Sequence, residues 1–218
     1  MNLRRRHVHI VRIWGRAMLS QREQFKGNFL VVFLHPRESD SPQLYREEAH
    51  AYQQYLIEQK TIHDGFPNFT YNSLGSYMEQ KTPDDYIDDP SLLALHLAIQ
   101  RNGNSITLNF KSKVCKGQAP RMEGKEYILM MWLTENDVLE FQYDSGAPGG
   151  YDWHFNHSYL FRKALNGLWG EDYVPGHDYS CTATIPENVN ADKSQIVVMV
   201  LDKKTHETVA AGEYPLGI

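Results

Sequence analysis

The chain has 218 residues, with 22 Lys and Arg against 27 Asp and Glu, and 41% apolar and 12% aromatic residues. Apolar content at this level excludes a disordered chain. A net charge of −5 argues against a general nucleic-acid binder, which needs a positive field to meet phosphates. No run nears the roughly 18 uncharged apolar residues of a transmembrane helix.

The charge is uneven. Arg4, Arg5, Arg6, Arg12, Arg16 and Arg22 face a single acid, Glu23, in the first 25 residues, so the acidic excess lies in the rest of the chain. The apolar run at 8–19 is broken by His9, Arg12 and Arg16 and makes a poor signal-peptide core. The basic start reads as a solvated terminus, as a start placed away from the natural mature end, or as an anchor to anionic lipid.

Residues 8–13 form a weak strand candidate and 16–25 are helix-compatible. Residues 29–34, Phe-Leu-Val-Val-Phe-Leu, are a continuous apolar run between Gly27-Asn28 and Pro36, the pattern of a strand buried on both faces. Ser39-Asp40-Ser41-Pro42 opens a predicted helix whose stripe of Leu44, Tyr45, Ala49, Tyr52, Tyr55 and Leu56 runs to about Gln59. That tyrosine stripe is read as core. Gly65-Phe66-Pro67 breaks the chain, and 68–72 is a short strand, giving an α/β order.

An acidic linker follows, with Glu79, Asp84, Asp85, Asp88 and Asp89 between Pro83 and Pro90. It lacks the glycine and closing glutamate of a regular calcium loop and reads as solvated chain.

From Leu92 the rhythm becomes period two. Leu93, Leu95, Leu97 and Ile99 share a face; Asn102-Gly103 signals a hairpin; Ile106, Leu108, Phe110 and Val114 continue on the return strand. Residues 127–133 are apolar on both faces, and 138–142, 179–185, 195–201 and 208–212 complete seven predicted strands. These form an antiparallel sandwich of immunoglobulin-like architecture. The predicted fold is therefore two-part α+β: an α/β module over 1–78, a linker over 79–91 and the sandwich over 92–218.

Cys115 and Cys181 are too few for a disulfide framework and form no Cys-x-x-Cys pair. They read either as a disulfide in an oxidising compartment or as two small buried residues.

Residues 146–176 read as a long, aromatic-rich loop between strands, of the kind that is functional or packed on itself. Tyr151, Trp153 and Phe155 alternate with Asp152 and His154. With Trp169, these aromatic residues make either a platform for a protein or glycan partner or a plug closing the end of the sandwich. Asp152, His154 and His157 form Asp-x-His-x-x-His, a zinc candidate if an i, i+3 pair shares a helix face; otherwise the histidines bond strand-end backbone. No Gly-x-Ser-x-Gly elbow, phosphate loop or dinucleotide fingerprint is present, and no catalytic residue or cofactor is assigned.

The run Arg162-Lys163-Ala164-Leu165-Asn166-Gly167-Leu168-Trp169-Gly170-Glu171, with Asn156-His157 before it, resembles the signature of the Bacteroidetes outer-membrane protein 28 family. Leu133-Thr134-Glu135-Asn136 and the stretches at 198–202 and 205–209 frame it in the same way, so the likeness spans about 92–214. It implies a cell-envelope, outer-membrane or extracellular location, and a thioredoxin-like module ahead of an immunoglobulin-like sandwich. Residues 29–35 and Gly65-Phe66-Pro67-Asn68 look like that module's second strand and proline-turn strand. Where a catalytic module would carry Cys-x-x-Cys, this chain has Trp14-Gly15-Arg16-Ala17-Met18, so the module is shortened and without redox chemistry.

The expected function is a non-catalytic surface protein binding a protein or glycan. The alternatives are a metal-dependent hydrolase built on Asp152, His154 and His157, and a structural subunit of an outer-membrane assembly docked through the basic N-terminus.

Overall fold

The computed structural model describes residues 8–12, 29–34, 46–59, 68–71, 74–75, 91–143 and 148–217. The linker at 79–90, the helix-compatible stretch at 16–25, the Ser39-Asp40-Ser41-Pro42 helix start and the N-terminal arginines other than Arg12 lie outside them.

Two antiparallel sheets share one core. The smaller contains β5 (Leu93–Asn102), β6 (Ser105–Val114) and β12 (Tyr179–Thr184), in the order β12-β6-β5. Its inner face carries Leu93, Leu97, Ile106, Leu108, Phe110 and Ala183, and residues such as His96, Lys111 and Ser180 face water. This is the alternation that a sheet covered on one side requires. The β5–β6 turn comes one residue later than predicted. Asn102 still pairs with Ser105, and Gly103, at φ +58°, takes the first loop position, where a right-twisted hairpin favours a positive φ.

The larger sheet has nine strands: β1 (Val8–Arg12), β2 (Phe29–Leu34), β3 (Asn68–Tyr71), β4 (Leu74–Gly75), β7 (Tyr127–Glu135), β10 (Leu160–Ala164), β11 (Glu171–Tyr173), β13 (Ser194–Asp202) and β14 (Thr208–Pro215). The order is β14-β13-β7-β10-β1-β2-β3-β4, with β11 also on β7. Only β1 runs parallel to its neighbours, so the strands of the front part continue the sheet that closes the sandwich.

β13 is buried along its whole length and β7 nearly so, because this sheet has two covers. Leu129, Met131, Leu133, Ile196, Val198 and Val200 point at the small sheet. On the opposite face, Met130, Trp132, Val197 and Met199 meet Ala49, Tyr52 and Leu56 of α1 (Glu47–Glu58). The continuous apolar runs at 127–133 and 195–201 are thus strands in the middle of a three-layer stack. Each fully buried Leu, Ile, Val or Met contributes about 1.5–3 kcal/mol over its exposed state, and these residues of β7 and β13 hold the three layers together.

The helix begins after extended Arg46, with Glu47 and Glu48 in its first turn. Glu48 Oε2 accepts a hydrogen bond from Ala164 N at 2.9 Å, pinning the helix to β10 beside the bulge between Phe161 and Lys163.

The signature run Arg162 to Glu171 has a structural explanation. Along β7, β10 ends opposite Trp132 and β11 begins opposite Leu129. The Asn166 carboxamide bridges the gap, accepting from Met131 N and donating to Leu129 O, both at 2.8 Å. A side chain so completes a backbone ladder that would otherwise leave buried polar groups unpaired. Gly167 and Gly170, at φ +85° and +67°, turn the chain through the gap.

The β13–β14 turn falls at 203–205, inside the predicted 202–205, and is organised by Asp202. Its carboxylate accepts from Lys204 N and Thr205 N at 3.0 and 3.1 Å and pairs with Lys125 Nζ at 3.1 Å. Burial pushes this carboxyl up, but the Thr205 N–H, the Lys125 ammonium and the Lys204 N–H together hold it below its ordinary value. A lowered folded-state pKa stabilises the fold above the unfolded value of about 3.9, and the contribution disappears as pH falls through the folded value. Asp202→Asn is expected to lower the urea midpoint at pH 7 and to flatten its fall below about pH 4. Parallel midpoint-versus-pH curves for variant and wild type would contradict this.

Candidate functional site

The stretch read as a loop at 146–176 is largely strand, which corrects the sequence expectation. β9 (Tyr151–His157) pairs antiparallel with β8 (Val138–Tyr143) as a separate two-stranded ribbon, and β10 and β11 return to the large sheet. The ribbon's base is tied to the body. Asn136 Oδ1 accepts from Tyr159 N at 2.8 Å, Asn156 Nδ2 donates to Asp137 Oδ1 at 3.2 Å, and Asn136 N donates to Lys193 O at 2.9 Å.

Strand pairing sorts the ribbon's faces. Val138 pairs with His157 and Glu140 with Phe155, but the register shifts before Gln142 meets Asp152, so β9 carries one extra residue, a bulge at Trp153 and His154. Phe155 and His157 lie on the Val138 and Glu140 face, and Asp152 returns to it beyond the bulge. His157, 1% exposed, is buried at the base, and Phe155 meets it edge-on at 4.8 Å. The other face carries Tyr151, Asn156 and the exposed Leu139. Trp153, 65% exposed against 40% for Tyr151, stands beside Tyr151, with ring centroids 5.6 Å apart and planes tilted by 38°.

This geometry overturns the zinc candidate. Asp152 and His157 stand five residues apart on an extended strand, roughly 15 Å, and the exposed His154 at the bulge faces away from the buried His157, so the three do not meet at one ion; the i, i+3 pairing needed a helix. Asp152 Oδ1 instead accepts from His154 N at 3.0 Å. No group of three or more potential metal ligands occurs among the described residues.

The disulfide reading is corrected as well. Cys181 sits opposite Leu108 on β6, and Cys115 lies seven residues further along that direction, just past the strand end. At about 3.3 Å per residue the two are on the order of 20 Å apart, far beyond disulfide reach. Both thiols are free and half-buried, and burial pushes the Cys181 thiol up, away from the reactive thiolate.

Trp169 is not a plug for the sandwich and does not belong to the ribbon. It is 49% exposed, on the outer side of the large sheet, beside α1. Its ring lies 4.8 Å from Tyr55 at 62° and 6.1 Å from Tyr52 at 40°. Tyr52 continues inward to Trp132 at 5.1 Å, and Trp132 to Phe161 at 5.2 Å, both edge-to-face. At the outer end, Tyr55 Oη is 2.5 Å from His206 Nδ1. The tyrosine stripe read as core is therefore divided. Tyr52 is core, whereas Tyr55 is half-buried and, with Trp169 and His206, lines a cleft that the sequence reading missed. The only signal for it was a helical stripe carrying a tyrosine where an aliphatic residue would suffice.

Comparison with known proteins places these features. The family model described as outer membrane protein Omp28 matches residues 64–212, from just before β3 to within β14. No curated protein matches the chain. Among solved structures, HBP35 of Porphyromonas gingivalis is 13% identical with a TM-score of 0.56, over 95% of this chain and 73% of that one, a likeness of fold. A domain of the outer membrane lipoprotein Omp28 from Porphyromonas gingivalis is 20% identical with a TM-score of 0.42, over 58% of this chain and 89% of that one. A DUF3823 family protein from Bacteroides ovatus is 14% identical with a TM-score of 0.35, over 56% and 52%.

Proposed function

This chain belongs to the outer membrane protein Omp28 family, and on that premise we propose that it is a non-catalytic cell-envelope protein that holds a surface protein or glycan against the Tyr151–Trp153 face of its ribbon. The observation that carries the reading is the exposure of those two rings on a strand pair that forms its own two-stranded sheet. Aromatic rings give large contact area at low entropic cost, and two rings tilted by 38° form a shallow trough for a sugar ring or an apolar side chain. Against the metal-dependent and dithiol alternatives stand the separation of Asp152, His154 and His157 along β9 and the distance between the two thiols.

In this reading residues 1–78 are a shortened thioredoxin-like module lacking thiols, 79–91 a tether, and 92–218 an immunoglobulin-like sandwich. The order of β2, α1, β3 and β4 supports the first assignment, and the shared core of the two sheets supports the last.

The test compares the full chain with Tyr151→Ala/Trp153→Ala for retention on purified cell-surface polysaccharide and, separately, on outer-membrane protein extract. Loss of about tenfold or more on one of the two, with an unchanged melting temperature, is expected for a central aromatic pair. Equal retention of variant and wild type on both would refute the ribbon as the contact surface.

A further inference from the structure

We propose that the chain has a second binding site, independent of the ribbon, which takes a small planar aromatic molecule of about two fused rings in the cleft between α1 and the outer face of the large sheet. The cleft has a volume of about 240 Å³. Tyr52 and Tyr55 of α1, Trp169, Met130 of β7, Leu201 of β13 and His206 line it, with the Trp169 ring already in contact with that of Tyr55 at 4.8 Å, so the rings form one continuous aromatic side of the cleft. An apolar cavity of about 150 Å³ accommodates benzene. The extra volume here corresponds to one more ring, and is too small for a folded chain segment or a lipid tail of full length.

Three features select an aromatic occupant over an aliphatic one. The Trp169 ring lies at 62° to Tyr55 and 40° to Tyr52, so the aromatic side of the cleft presents both ring faces and ring edges to a flat molecule laid against it. The Met130 sulfur side chain lining the cleft is polarizable and favours aromatic contact. Trp169 leaves half its surface in water beside an apolar cleft, and a flat occupant would cover it.

Two polar groups add selectivity. Tyr55 and His206 are hydrogen-bonded to one another through Oη and Nδ1, and His206 remains half-exposed. A tyrosine hydroxyl and an imidazole can each accept or donate, so an N–H or O–H on the ligand ring has a partner there. The described occupant is therefore a bicyclic aromatic ring bearing one hydrogen-bonding group. The ring pair belongs to distant parts of the chain: α1 supplies Tyr55, and the β13–β14 turn supplies His206, which adopts φ +58° and so directs its side chain from a tight turn.

Calorimetric titration of the full chain with indole tests the proposal. A saturable heat with Kd on the order of 100 µM is expected for a ligand of this size. Trp169→Ala should weaken it tenfold or more. His206→Asn, which tolerates the positive φ, and Tyr55→Phe, which keeps the ring, should both reduce the preference for indole over 1-methylindole. These two serve as the readout should Trp169→Ala fail to fold. Trp153→Ala should leave indole binding unchanged, which separates this site from the ribbon. Absence of saturable heat, binding that persists in Trp169→Ala, or loss in Trp153→Ala would each overturn the proposal.

Discussion

Gly170→Ala is expected to destabilise the fold by about 2–5 kcal/mol, enough to unfold a domain of ordinary stability. Two effects add. Gly170 has φ +67°, a region that costs an L-residue of order 1 kcal/mol or more. An added Cβ would also meet Leu129 O at 2.3 Å, Met130 Cγ at 2.7 Å and Ile128 Cγ2 at 2.9 Å. The first of these is a backbone carbonyl of β7, fixed in the sheet, so it cannot step aside. Gly103→Ala is the control: it shares the positive φ, at +58°, but nothing lies within 4 Å of its Cβ, and only the conformational part of the cost remains, about 1 kcal/mol. Urea denaturation of the two variants separates strain from collision. Similar midpoints for both would mean that the strand packing around Gly170 yields.

Breaking the buried pair Glu135–Arg162 from one side is expected to cost about 3–5 kcal/mol. Arg162 Nε donates to Glu135 Oε2 at 2.6 Å, with the two side chains 6% and 8% exposed, and Glu135 Oε1 accepts from Asn190 N at 2.8 Å. Glu135→Ala would take the buried carboxylate away from Arg162, whose charge is also felt by a second guanidinium, Arg46. Burial and the neighbouring Arg162 already pull Arg46 down, and Glu135 offsets them. Glu135→Met/Arg162→Met removes both charges, and its cost should shrink to about 1 kcal/mol for the unpaired Asn190 N–H. A double variant as unstable as Glu135→Ala would show that the pair holds geometry rather than balances charge.

Much of the back half was legible because the information is local. Alternation in Leu93 to Ile99 and Ile106 to Phe110 names a one-sided sheet without knowledge of its cover. The unbroken run at 127–133 names a strand buried twice. The run from Arg162 to Glu171 pointed to the family, and its glycines and Asn166 turn out to complete the β7 ladder. The ribbon was misread because Tyr151 to His157 pairs with β8 across Gly149, Gly150 and Pro148, residues that locally signal irregular chain. β10 and β11 pair with β7 across 25 to 46 residues, which no window of local pattern contains.

The candidate sites divide in the same way. Residue type was enough to single out Tyr151, Trp153 and Trp169 as aromatic groups in an unusual place. Helix or strand decided whether His154 and His157 share a face, and the register of β6 against β12 decided the separation of Cys115 and Cys181. The cleft needed more: Tyr55, Trp169 and His206 are separated by 114 and 37 positions in the chain. The sequence by itself determined the seven strands of the predicted sandwich, the envelope family and the lack of a paired-thiol motif, because hydrophobic period and residue identity are properties of neighbours. Which rings meet, which ligands part and which face of the large sheet lies open beside α1 were decided by tertiary structure alone, since these depend on pairings between segments whose partners no local pattern encodes.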